Sequence, residues 1–170
     1  NVRNRDNTPG GQILYVAEYA NVVSVTLDAQ SLYVSGITMS GSTKFYKVEV
    51  PRENINFENN SEISVTNGVY IFKPLVKCNI PGLSSSAVTL FDVLIRKDVM
   101  AIVKTNEGKY FLFGKTNGLT ATSNTKFVSG NAGTDLIGLQ LELEGLEPVR
   151  AFELDPATAA ATMASIVSAS

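Results

Sequence analysis

The sequence predicts a mainly β protein with a helical minority: a β-sandwich or barrel, one flanking helix at about residues 85–97, and a short C-terminal helix. Three observations predict it. Leu139, Leu141 and Leu143 alternate with Gln140, Glu142 and Glu144, the period of a strand with one buried face. Asn67-Gly68 between two extended runs is a strong short hairpin signal. Only one stretch before the C-terminus, from Ala87 to Ile95, carries apolar residues at helical spacing.

The elements follow in order. Residues 1–11 have the composition of a loop or arm, rich in Asn, Arg, Thr, Pro and Gly. Ile13–Glu18 is a short apolar run. Val23, Val25 and Leu27 alternate with Ser24 and Thr26, and Leu32–Met39 repeats the pattern with Gly36 as a bulge candidate. Lys44–Val50 is extended and stops at Pro51. Ile55–Val65 leads into the Asn67-Gly68 turn, and Val69–Phe72 returns from it. Pro74 predicts an edge or a break before Leu75–Ile80. Ser84, Ser85 and Ser86 offer helix caps, and Ala87, Leu90, Phe91, Leu94 and Ile95 then form one apolar stripe. Val99–Lys104 and Lys109–Gly114 form a hairpin around Asn106-Glu107-Gly108. Residues 120–135 read as a long polar loop, a length that is uncommon without a function or a partner. From Pro156 the chain is an uncharged Ala/Ser tail with helical propensity, expected to dock rather than to be solvated. The predicted organisation is an arm (1–11), a β domain (12–155) and a tail (156–170).

Composition narrows the function. A chain of 170 residues with 44% hydrophobic content can bury a core as one domain. Net charge is −2 and no Lys/Arg run forms the basic face that nucleic-acid binding requires. No apolar stretch has the length of a transmembrane helix, and the polar N-terminus is not a signal peptide. Histidine is absent, which removes the commonest general base and metal ligand. Cys78 sits in an apolar extended run, as an inert buried thiol does. Glu142, Glu144, Glu147 and Glu153 read as the polar side of strands and turns rather than as a catalytic pair. Gly130-Asn131-Ala132-Gly133 lacks the lysine of a phosphate loop. The expectation is a protein with no enzymatic activity, no cofactor and no metal. Its arm, polar loop and uncharged tail suit subunits that hook to neighbours, because open sheets must manage their edges.

TPGGQILYVAEYANVVSVTL near the N-terminus, the helix, MAIVKTNEGKYFLFGKTNGL and SGNAGTDLIGLQLELEGLEP follow one another in that order. Together they resemble a group of small virion proteins from tailed phages of Bacteroides-type gut bacteria, encoded among tail genes. Within them stand Gly10-Gly11, Tyr15-Val16-Ala17, Val103-Lys104 with Gly108-Lys109, Gly130 to Gly138, and Gly145 to Val149. The similarity covers most of residues 9–154 and not the tail. It implies a tail-tube-like or tail-ring virion protein, with a sandwich or barrel of that type, made in the host bacterial cytoplasm and localised to the virion tail. Its implied partners are itself in closed rings, adjacent tail or neck proteins, and genomic DNA passing without specific binding; no membrane is involved. The contacts between subunits are then expected at Gly10, Gly11, Asn67, Gly68, Phe127, Asn131 and Asp135. Glu142 and Glu144, or the acids near Glu58 and Glu62, would face an acidic lumen that does not hold DNA. The alternative is a monomeric or decorating β-sandwich adhesion module on a virion or cell surface, using Tyr70 or Tyr110.

Overall fold

Two runs in the chain are apolar at consecutive positions, Leu14–Ala17 and Val99–Val103, and this is the pattern of strands covered on both faces. The computed structural model, which describes residues 10–51, 54–82, 84–130, 135 and 137–168, places both runs side by side at the centre. Strand β1 (Gly11–Glu18) pairs antiparallel with the later strand Val99–Thr105. Between them in sequence come β2 (Val22–Leu27), β3 (Tyr33–Met39), β4 (Tyr46–Glu49), β5 (Ile55–Ser64), β6 (Val69–Pro81) and helix α1 (Ser85–Arg96). The Val99–Thr105 strand is β7. After it follow β8 (Tyr110–Phe113), β9 (Thr120–Ala121), β10 (Lys126–Val128), β11 (Gly138–Glu144), β12 (Phe152–Leu154) and helix α2 (Ala159–Ile166).

Among the described residues these twelve strands join one open mixed sheet, in the order β10-β11-β6-β5-β1-β7-β8-β12-β3-β2. β4 branches off β1, and β9 adds to β11 beside β10. All pairs are antiparallel except β12 with β3. The mainly β class and the flanking helix are as the sequence predicts.

Side-chain alternation along β1, β7 and β8 divides the interior into two cores. Leu14, Val16, Val99, Ala101, Val103 and Phe113 face one way. They meet Ile55 of β5, Val76 and Cys78 of β6, Leu141 and Leu143 of β11, and Leu94 of α1. Since β6 and β11 lie several strands away from β7 and β8 in the ladder, the sheet must fold over itself to share that core. Sandwich-like layering thus arises from one curled sheet. Tyr15, Ala17, Met100, Ile102 and Leu112 face the other way, onto Val34, Ile37, Phe45, Phe152 and Leu154.

The second core is closed by α2, which corrects the separation of residues 156–170 as a docking tail. Ala159, Met163 and Ile166 are buried in it. The Phe45 amide donates to the Ile166 carbonyl at 2.8 Å, and Lys44 Nζ donates to the Ser165 carbonyl. The uncharged composition reflects cover by the chain's own sheet.

Pro74 does not break β6. Its carbonyl accepts from the Gly145 amide at 3.1 Å, so its N–H-less side faces the point where β11 has ended. The regular β6–β11 ladder stops at Leu75↔Glu144, and the missing donor falls in the irregular step between it and the Phe72–Glu147 bridge. Residues 120–128 also differ from the expected loop, and residues 131–134 of that stretch lie outside the described residues. β9 and β10 flank a turn at residues 122–125, and both pair with β11. Thr125 substitutes for ladder bonds: its hydroxyl donates to the Glu142 carbonyl at 3.0 Å and accepts from the Glu142 amide at 3.1 Å. Threonine and asparagine side chains can close a strand pair in this way, while their composition reads as loop.

Candidate interaction surface

β5 and β6 run in register from Ile55↔Cys78 to Ser64↔Val69, joined by the turn Val65–Gly68. Gly68 has φ +62°, which a glycine adopts without strain. β1 touches β5 only at Gly11, and β11 pairs with β6 only from Leu75 onward. The outer part of the hairpin therefore projects beyond the sheet, tied at Phe72 by a two-way backbone bridge to Glu147.

The projecting arm is amphipathic. Directly opposed pairs share a face, so Phe57/Val76, Asn59/Pro74, Ser61/Phe72 and Ile63/Tyr70 lie on one side. Phe57 and Val76 are part of the first core. The same face continues outward to Ile63 and Tyr70, which are 59% and 63% exposed. Val65 at the turn is 86% exposed. Glu58 and Glu62 stand on the other face, with Glu62 in an ion pair to Lys73 at 2.6 Å. From Ile63 to Phe72 no residue is charged. A solitary two-stranded arm with a bare apolar face is a surface that requires cover.

The other expected contacts are scattered. Asn67 and Gly68 are exposed at the tip of this arm. Gly10 lies half-buried at the start of β1, and its carbonyl accepts from the Asn106 amide at 3.4 Å. Gly11 is buried: a Cβ there would stand 2.7 Å from Ile55 and 2.8 Å from Val103. Close packing inside the core, not contact with a neighbour, requires that glycine. Phe127 is 39% exposed and its ring stacks on Phe91 at 4.2 Å. Asp135 is exposed, and Asn131 lies outside the described residues.

The two strand acids part company. Glu142 is largely buried as a staple: its carboxylate accepts from Thr122 at 3.1 Å and Asn124 at 3.0 Å, with Lys77 at 3.8 Å. That network ties β11 to the turn after β9 and to β6. Glu144 is exposed beside a shallow groove lined by Asp98, Asn117, Thr120 and Leu146. Among the described residues no three His, Cys, Asp or Glu side chains cluster as metal ligands, and no helix is long and apolar enough to cross a membrane. Cys78 is buried, and desolvation pushes its thiol up to about 12, so it stays protonated and unreactive.

Glu147 is a structural residue that its sequence context did not single out. Only 4% exposed, it accepts the amides of Thr116 at 2.9 Å and Asn117 at 2.8 Å. It thereby fixes the turn after β8 to the base of the projecting arm. Glu147→Gln places an amide NH2 against one of two backbone donors. Leaving such a group unmatched costs about 1–3 kcal/mol, so at roughly 2–4 °C per kcal/mol for a chain of this size the melting temperature should fall by roughly 2–12 °C. Thermal denaturation followed by circular dichroism checks this, and an unchanged midpoint would remove Glu147 from the turn's support.

No protein-family model, curated protein or solved structure matches this chain.

Proposed function

We propose that this chain is a non-enzymatic structural subunit of a tailed bacteriophage virion, repeated in tail-tube or neck rings around the DNA channel. The observation that carries the reading is the β5–β6 arm, whose apolar face runs out of the chain's own core and ends uncovered. Such a face is stable when a neighbouring copy covers it, and repetition of one unlike contact closes rings or builds stacks. β2 supports the same reading: it is a terminal strand of the sheet, VVSVTL, with no charge to discourage pairing and with Val23 65% exposed. The tail-protein resemblance of residues 9–154 supplies the virion context, and the exposed Glu144 suits a wall past which DNA slides.

The test is assembly. Purified protein should form rings or tubes in negative-stain micrographs and sediment as a large species. Ile63→Glu with Tyr70→Glu should yield a soluble monomer that still unfolds cooperatively, since both side chains lie outside the core. A parent chain that stays monomeric at high concentration would favour the decorating adhesion module instead, with Tyr70 as its exposed aromatic.

A further inference from the structure

The tripeptide Thr-Asn-Gly occurs twice in the chain, at 66–68 before Val69 and at 116–118 before Leu119. No other asparagine precedes a glycine. Glycine has no Cβ, so its amide nitrogen can approach the side-chain Cγ of the residue before it with little hindrance. Local sequence gives the two pairs the same chemistry, and the fold separates them. Asn67 and Gly68 are exposed in the turn between β5 and β6. A Cβ added at Gly68 would meet nothing within 4 Å. Among the described residues no group hydrogen-bonds the Asn67 side chain, and the Gly68 amide donates to no backbone carbonyl. Asn117 is exposed too, but it is pinned. Its Nδ2 donates to the Leu146 carbonyl at 2.6 Å, and its backbone amide donates to the Glu147 carboxylate at 2.8 Å. Gly118 is buried, and a Cβ there would stand 3.2 Å from Asp98 and 3.3 Å from the Tyr19 ring.

We propose that Asn67 is a site of spontaneous deamidation in the folded protein, and that the fold protects Asn117 from the same reaction. The Gly68 amide nitrogen, having lost its proton to hydroxide, bonds to Asn67 Cγ. The Cγ–Nδ2 bond breaks, and that nitrogen takes protons from water and leaves as ammonia. Water then adds to either carbonyl of the succinimide ring. Attack at Cγ opens it to aspartate, and attack at the main-chain carbonyl opens it to isoaspartate. The sum is asparagine and water giving aspartate and ammonia, with nothing oxidised or reduced. At Asn117 the side chain must first leave the Leu146 carbonyl, and the Gly118 nitrogen must move within a packed site. The product at Asn67 carries a carboxylate where Ile63 to Phe72 otherwise hold no charge. Isoaspartate also adds a methylene to the main chain inside the turn, which the Ser64↔Val69 pairing has to absorb. The tip of the arm therefore passes irreversibly from neutral to anionic with age. The change needs only water and hydroxide, and it does not depend on the assembly reading above.

Peptide mapping by mass spectrometry tests this on the full chain, aged at mildly alkaline pH both dilute and concentrated. Asn67 should convert at least about tenfold faster than Asn117, the factor expected when a pinning hydrogen bond must break first. The Asn67 rate should rise with pH, because hydroxide generates the nucleophile. In concentrated urea both sites should convert at one rate, since the two tripeptides are identical. Asn67→Gln should remove the more acidic species that isoelectric focusing resolves in the aged parent, because the longer side chain closes its ring far more slowly. Equal rates at the two sites in the folded chain, or slow conversion of Asn67 at both concentrations, would overturn the inference. Unequal rates persisting in urea would assign the difference to sequence and overturn the protective role of the fold. An acidic species that survives Asn67→Gln would place the reaction at another asparagine and overturn the assignment.

Discussion

Truncation after Asp155 is expected to abolish cooperative folding. The fifteen residues removed, 156–170, include α2, whose Ala159, Met163 and Ile166 form one wall of the second core. Burial of side chains the size of Met and Ile stabilises by about 1.5–3 kcal/mol each. The cut also strips partners from Phe45, whose ring is fully buried and whose amide donates to Ile166. Unsatisfied buried backbone adds about 1–3 kcal/mol. Together these losses rival the roughly 5–15 kcal/mol that holds a domain of this kind. The truncated chain should show no sharp thermal transition and should bind hydrophobic dyes. A truncated chain with the parent's melting curve would make α2 a peripheral attachment.

The misplacement of that segment has a physical cause. Lack of charge from Pro156 onward signals cover, but the same composition serves a neighbour's surface and the chain's own sheet equally well. What decides between them is the reach of Ile166 to Phe45, a contact between residues far apart in sequence that no local pattern encodes. Local patterns did carry the centre of the fold. The unbroken Val99–Val103 run reflects two covered faces, and the Leu139–Leu143 alternation one. Asn67-Gly68 marked its hairpin, but nothing near it showed that the outer parts of β5 and β6 lack neighbours. That depends on where β1 and β11 stop pairing. The candidate surface was therefore legible as a turn and not as an arm. Glu147 was hidden for the same reason, because its two amide donors come thirty residues before it.

Leu141→Asp should unfold the protein at neutral pH and spare it partly in acid. Leu141 is 1% exposed on β11, paired with Cys78 and packed among apolar side chains of the first core. The nearest cation along the ladder, Lys77, pairs with Glu142 on the opposite face of the strand, so it cannot neutralise a charge at 141. An uncompensated buried charge costs about 3–5 kcal/mol, in addition to roughly 2 kcal/mol of lost apolar burial. Burial would raise the new carboxyl above its unfolded value of about 3.9. The folded state then holds the proton more tightly than the unfolded one, so the charge penalty is smallest below that value and grows as pH rises. Urea unfolding at pH 4 and pH 7 should show the deficit widening with pH, relative to the parent. Leu141→Asn, similar in size and unable to ionise, should be destabilised by a nearly constant amount across the same range. Equal losses for both variants at both values would mean that the Asp carboxylate reaches water, and that β11 does not seal the first core.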